Sequence, residues 1–168
     1  YTTLACPFRC SSCCIHAPFK SGEKVLGHSS EINTYRRWSP QSIVKQIDIL
    51  VNDYGVKNIK FADEIFVLNK KHVLDICDLI IERGYGLNIW AYARVDSWSE
   101  EVLTKMKQAG INWICLGIES GNSHVCDDVH KGYKAKDVFS AVEAFRNAGI
   151  YIIANYLFGL PDDDMKSI

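Results

Sequence analysis

The sequence repeats one structural unit without repeating its residues: four times a helical pattern closes on glycine and an apolar, strand-like run follows at once. The closures are Gly55-Val56, Gly84-Tyr85, Gly110-Ile111 and Gly149-Ile150. Glycine just past a helix supplies the left-handed backbone that stops it, so each pair marks a helix end and a strand start. The first helix is the most fully specified. Ser39 stands at its cap and Pro40 in its first turn, while Ile43, Val44, Ile47, Leu50, Val51 and Tyr54 form a stripe that needs a sheet to cover it. Similar stripes run through Val73, Ile76, Cys77 and Ile80, through Val102, Leu103 and Met106, and through Val138, Ala141, Val142 and Phe145. Ser97 and Glu100 have capping-box spacing ahead of the third.

Five strands are expected between these helices, near residues 1–5, 56–62, 87–93, 113–118 and 150–158. Alternating strands and helices argue for parallel βα units with right-handed crossovers, closed as a partial barrel or left open as a doubly wound sheet. In either arrangement function belongs at the C-terminal ends of the strands. Alternate residues of the third strand read Leu87, Ile89, Ala91, Ala93 on one face and Asn88, Trp90, Tyr92, Arg94 on the other. In the fourth, Ile114, Leu116 and Ile118 oppose Cys115, Gly117 and Glu119; in the second, Ile59 and Phe61 oppose Asn58, Lys60, Ala62 and Glu64. The polar faces are expected to point away from the helices, so that Glu64, Arg94, Glu119 and Asn155 converge around one mouth.

Composition narrows the function. The 19 basic and 20 acidic residues form no long run of one sign, which leaves no electrostatic footprint for nucleic acid or an anionic membrane, and Arg36-Arg37 is too short to be a basic patch. No apolar stretch approaches the roughly 20 residues of a membrane span, and the N-terminus lacks a signal-peptide pattern, so a cytoplasmic protein is expected. The sequence starts at Tyr1 and stops at Ile168, as expected of an excerpt from a longer protein. Of its seven cysteines, Cys6, Cys10, Cys13 and Cys14 crowd the first loop, an odd and clustered set that points to metal or redox chemistry rather than disulfides.

Cys6-Pro7-Phe8-Arg9-Cys10-Ser11-Ser12-Cys13 spaces its thiols as CxxxCxxC, and one short loop of this kind can wrap three thiolates around one metal centre. A cubane cluster with three protein ligands keeps one iron open, whereas a structural site closes its shell. Placed directly after the first strand of a βα repeat, this motif resembles the radical S-adenosylmethionine superfamily. Gly117-Ile118-Glu119-Ser120-Gly121, Lys131-Gly132 and Phe158-Gly159-Leu160-Pro161 resemble the branch whose members often carry an upstream cobalamin-binding domain.

The resemblance implies an α/β fold, a partial (βα) barrel with about five of its six βα units present, and residues 1–168 as the core domain. It implies a [4Fe–4S] cluster on Cys6, Cys10 and Cys13. Its open iron chelates S-adenosylmethionine, and reductive cleavage gives a 5′-deoxyadenosyl radical for hydrogen abstraction or methyl transfer. By position, Asp63 or Glu64 meets the methionine amino group, Arg94 its carboxylate, and Glu119 and Asn155 the methionine or ribose portion. Further implied are an electron donor such as a flavodoxin or ferredoxin and, for the branch, cobalamin held by a domain outside this chain. Substrate and any further catalytic residue are left open. The chain departs from the family at Ser12, where an aromatic residue usually stands.

Two rival readings stand beside it. Cys6, Cys10 and Cys13 with Cys14 or His16 would close a tetrahedral zinc site in a structural or interaction module, and a barrel that keeps cluster and cofactor without chemistry is the other. Cys77 and Cys115 read as small buried hydrophobes. Cys126, His28, His72, His124 and His130 have no partner at metal spacing, Trp90 and Tyr92 line a cavity or pack, and Asp162 to Asp164 read as a solvated turn.

Overall fold

Ser39 opens the first helix as expected. In the computed structural model, which describes residues 1–8, 10, 13, 15, 35–122, 125, 132–160 and 163–165, its hydroxyl accepts from the Ser42 amide at 3.2 Å and Pro40 follows at the first position. Helix α1 (Pro40–Asn52) buries Ile43, Val44 and Ile47, while Leu50 and Tyr54 at the end of the stripe stay exposed. Helices α2 (Lys70–Arg83), α3 (Glu100–Gln108) and α4 (Ala135–Asn147) follow the three other stripes. The cap of α3 is Ser99, whose side chain accepts from the Val102 amide. Ser97 lies too early to reach the helix; its hydroxyl accepts from the Arg94 amide at 3.0 Å and donates to the Arg94 carbonyl at 2.9 Å.

Four strands form a parallel sheet in the order β3 (Asn58–Lys60), β4 (Asn88–Arg94), β5 (Ile111–Glu119), β6 (Tyr151–Tyr156). Each is joined to the next through a helix, the βα alternation that the glycine spacing anticipates. One face is packed: Ile89, Ala91 and Ala93 of β4 and Ile114, Leu116 and Ile118 of β5 are buried in one core with Ile76, Leu103, Met106 and Phe145 from the helices. Truncating a residue such as Leu103 to alanine in such a core costs about 2–5 kcal/mol. The opposite, concave face carries the alternate residues.

The first expected strand is organised differently. β1 (Thr3–Leu4) pairs antiparallel with β2 (Arg36–Arg37), and this two-stranded ribbon is not laddered into the main sheet. A side chain holds it there. Asp63, just past β3, accepts from the Thr2 amide at 2.5 Å and the Thr3 amide at 3.1 Å, and the Thr2 hydroxyl donates to its other oxygen. Asp63 is 1% exposed. No helix among the described residues is long and apolar enough to cross a membrane.

Candidate active site

The cysteine loop starts at a backbone kink, because Ala5 has φ +66°, a left-handed conformation that turns the chain out of β1. Cys6, Cys10 and Cys13 line one cleft, of about 180 Å³, at the C-terminal ends of the strands. The Cys13 amide donates to the Cys10 carbonyl at 3.2 Å, closing the turn between the second and third thiol. Burial raises the Cys6 pKa, and the neighbouring thiols Cys10 and Cys13 add to the effect. Three thiolates placed together need a cationic centre to neutralise them.

Among the described residues no three Cys, His, Asp or Glu side chains are set to grip a single ion. A cubane presents its irons at separate corners, so its three thiolates do not have to converge on one point as the ligands of one zinc do. The donor set fits a cluster. Ser12, Cys14, His16, His28, Cys126, His124, His130, Lys131, Pro161 and Asp162 lie outside the described residues.

Glu64, Arg94, Glu119 and Asn155 line the same cleft. The strand alternation accounts for this, since Arg94 pairs with Gly117 and Gly117 with Asn155 across three parallel strands. Asp63 is directed away, into its clasp on β1. Glu64 Oε2 is buried with no hydrogen-bond partner among the described residues, which leaves an acceptor for a cationic or hydroxyl-bearing ligand.

Arg94 is more committed than its position implies. Its Nε and Nη2 make a bidentate pair with Asp96, both at 2.9 Å, and its guanidinium lies 3.9 Å from the Phe8 ring centroid. Nη1 reaches Cys10 Sγ at 3.7 Å. The fork expected to face a ligand carboxylate is thus engaged by Asp96, and the cation is held against the cysteine loop. Asp96 and Phe8 carried no signal of their own in the sequence.

Glu119, like Ala5, adopts a left-handed conformation without being glycine, with φ +67°. That costs roughly 1–2 kcal/mol, and the surroundings impose it: the ladder to β6 slips between Gly117 and Glu119, and the Leu157 amide donates to the Glu119 carbonyl at 2.8 Å. Tyr133, 3% exposed, holds the bulge by donating to the Gly117 and Ile118 carbonyls, each at 2.9 Å. The Glu119 carboxylate leans back over Gly117, where an added Cβ would meet Oε1 at 2.9 Å. Glycine at 117 therefore leaves a cradle for the carboxylate.

Cys115 is 3% exposed, and it lines the cleft rather than the helix-packed core. Burial raises its thiol pKa, partly offset by a hydrogen bond with Asn155. Strand parity, which places it with Gly117 and Glu119, was the signal for this position. Cys77 lies in the core at 0% exposure, where burial pushes its pKa up to about 12.

A family profile for the radical SAM superfamily matches residues 1–168, and the chain belongs to that superfamily of enzymes. Its fold is that of structurally characterised members. The radical S-adenosylmethionine methyltransferase TsrM from Kitasatospora setae, solved with cobalamin and a [4Fe–4S] cluster, superposes with a TM-score of 0.79 at 20% identity, over 99% of this chain and 32% of that one. The cobalamin-dependent S-adenosylmethionine radical enzyme OxsB, solved with aqua-cobalamin, gives 0.74 at 20% identity over 94% of this chain and 23% of that one. In sequence, an uncharacterised methyltransferase of Pyrococcus horikoshii is 29% identical over 167 residues, 99% of this chain and 34% of that protein. The anaerobic magnesium-protoporphyrin IX monomethyl ester cyclase of Cereibacter sphaeroides is 27% identical over 171 residues, 97% of this chain and 25% of that protein. The chain thus spans about a third or less of these relatives.

Proposed function

We propose that this chain is the core domain of an enzyme that cleaves S-adenosylmethionine reductively, with a [4Fe–4S] cluster on Cys6, Cys10 and Cys13. The observation that carries the reading is the meeting of these cysteines with Glu64, whose buried oxygen lacks a partner, in one cleft at the strand ends. When bound, the cluster supplies the electron that breaks the sulfonium carbon–sulfur bond, giving methionine and a 5′-deoxyadenosyl radical.

The residues divide the remaining work. Cys6, Cys10 and Cys13 would hold the cluster through their three thiolates, and S-adenosylmethionine would bind beside it in the same cleft. Glu64 accepts from the amino group, a charge-assisted bond worth about twice a neutral one. Glu119, folded over Gly117, and Asn155 accept from and donate to the methionine or ribose portion. Arg94, fixed by Asp96, keeps positive charge beside Cys10 and lowers the cost of gathering thiolates there. Asp63 holds the strand from which the loop springs.

The finer reading is methyl transfer. The named methyltransferase among the sequence relatives and the cobalamin bound by the structural ones support it, with cobalamin on a domain outside this chain and a flavodoxin or ferredoxin as electron donor. The test is anaerobic reconstitution with iron and sulfide, followed by reduction with S-adenosylmethionine present. Iron and sulfide in equal amounts and release of 5′-deoxyadenosine are expected. Tightly bound zinc with no cluster would overturn the reading in favour of a structural zinc site.

A further inference from the structure

The concave face carries a second cleft, of about 450 Å³, below the cysteine cleft. Strand register sets its geometry. Lys60, Trp90, Trp113 and Tyr151 form one rung across β3 to β6; Tyr92, Cys115 and Ile153 form the next, and Arg94, Gly117 and Asn155 the one above. Two residues of strand rise roughly 7 Å, so the Lys60 rung lies about 13 Å below the Arg94 rung. Tyr92 and Cys115, between them, line the upper cleft.

The lower cleft is aromatic and cationic. The Lys60 ammonium sits 4.2 Å from the Trp90 ring centroid and 5.0 Å from that of Tyr92, while Trp113 and Tyr151 stack with centroids 4.7 Å apart. Rings attract the ammonium but give it no oxygen to bond, and no carboxylate among the described residues pairs with it. Trp90 Nε1 is covered and has no acceptor. The floor, by contrast, is satisfied from within: Asn88 donates to Asn58 at 3.0 Å, Asn112 to Asn88 at 3.0 Å, and Lys107 to Asn112 at 2.8 Å. The site has spare donors and flat walls, and no negative charge of its own.

We propose that this cleft anchors the substrate by a planar, carboxylate-bearing group, with Lys60 and Trp90 Nε1 as donors and Trp113, stacked on Tyr151, as the wall. The remainder of the substrate then reaches up past Tyr92 toward the cysteine cleft, one to two rungs away. The proposal deepens the reading of the upper cleft as the place of S-adenosylmethionine cleavage and rests on it for the identity of the ligand as substrate.

Calorimetric titration of the metal-free chain with 2-naphthoate and with its neutral amide tests it. Naphthoate is expected to bind roughly tenfold or more tightly than the amide. Lys60→Gln brings naphthoate down to the level of the amide, Lys60→Arg keeps most of the preference, Trp90→Phe weakens it several-fold, and Lys57→Gln, outside the cleft, leaves it unchanged. Equal affinity for acid and amide, no measurable binding of either, or a Lys60→Gln chain that binds naphthoate as before would each overturn it. The last result, with a lowered melting temperature, would make Lys60 a packing residue over two rings. Because no cluster is present, the two readings fail separately. A chain that binds naphthoate through Lys60 but assembles no cluster sinks the proposed chemistry alone; one that assembles the cluster and ignores naphthoate sinks the anchoring cleft alone.

Discussion

At Asp63 and Glu64 the chain sets two acids side by side, and the alternation of an extended backbone sends them to different places. Asp63 accepts from the Thr2 and Thr3 amides and the Thr2 hydroxyl, whereas Glu64 faces the cysteine cleft with a buried oxygen that lacks a partner. Asp63→Ala strands two amides and a hydroxyl and is expected to cost about 3 kcal/mol. For a chain of this size that lowers the melting temperature by roughly 6–12 °C, readable by calorimetry. Glu64→Gln should leave the melting temperature within a degree or two and weaken S-adenosylmethionine binding to the reconstituted protein about tenfold, measured by equilibrium dialysis. If the two variants exchange phenotypes, the assignment is reversed. The cysteines offer a similar contrast. Cys10→Ala should abolish the visible iron–sulfide absorbance after reconstitution, while Cys77→Ala, in the core, should keep it.

At the scale of elements, glycine does unlike jobs at positions that look alike in the sequence. Gly84 and Gly110 both end helices with positive φ, +63° and +87°. An added Cβ at Gly84 meets open space, but at Gly110 it would stand 2.2 Å from the Leu87 carbonyl oxygen, a backbone atom that cannot swing aside. Gly84→Ala is therefore expected to cost about 1 kcal/mol, and Gly110→Ala several times as much, as seen in urea melts of the two. The repeat itself was legible because glycine stops and 3.6-residue stripes are local signals, and Arg94 and Asn155 were legible because parity survives wherever a strand runs straight, while Glu119 joins them from a bulge and Glu64 from beyond the end of β3. What could not be read was long-range or irregular. β1 pairs with Arg36–Arg37 across an intervening loop, Asp96 takes the Arg94 fork from only two residues away, and Tyr133 clamps the β5 bulge from beyond the next segment. None of these leaves a period or a spacing. The α3 cap went to Ser99 because Ser97 is needed at the Arg94 turn.

For the whole molecule, acid sensitivity is expected to enter through a buried histidine on the helical layer rather than through the site. His72 on α2 is 4% exposed, and burial holds its pKa below the ordinary value. The charge of Arg37 adds to this, while Thr2, Asp63 and Asp75 work against it. The unfolded chain takes up this proton first, at about pH 6.5. The stability that depends on neutral His72 is thus complete above that pH and is lost as pH falls through it toward the depressed folded value. The melting temperature should decline between about pH 7.5 and pH 5, and His72→Leu should flatten that decline; an unchanged slope would place the sensitivity elsewhere.

The division of the sheet into a packed convex face and an open concave one has a consequence for how such a domain can diversify. Ile89, Ala91 and Ala93 are locked among helices, and their half-buried neighbours Trp90 and Tyr92 line the clefts from the same strand. The exposed positions of the concave face can then be rewritten at little cost to the scaffold, whereas Arg94, Cys115 and Gly117 cannot. A library confined to Trp113, Tyr151 and Ile153, all exposed and none of them lining the cysteine cleft, would sample new specificities on an almost constant thermal background, with the cofactor end inherited intact.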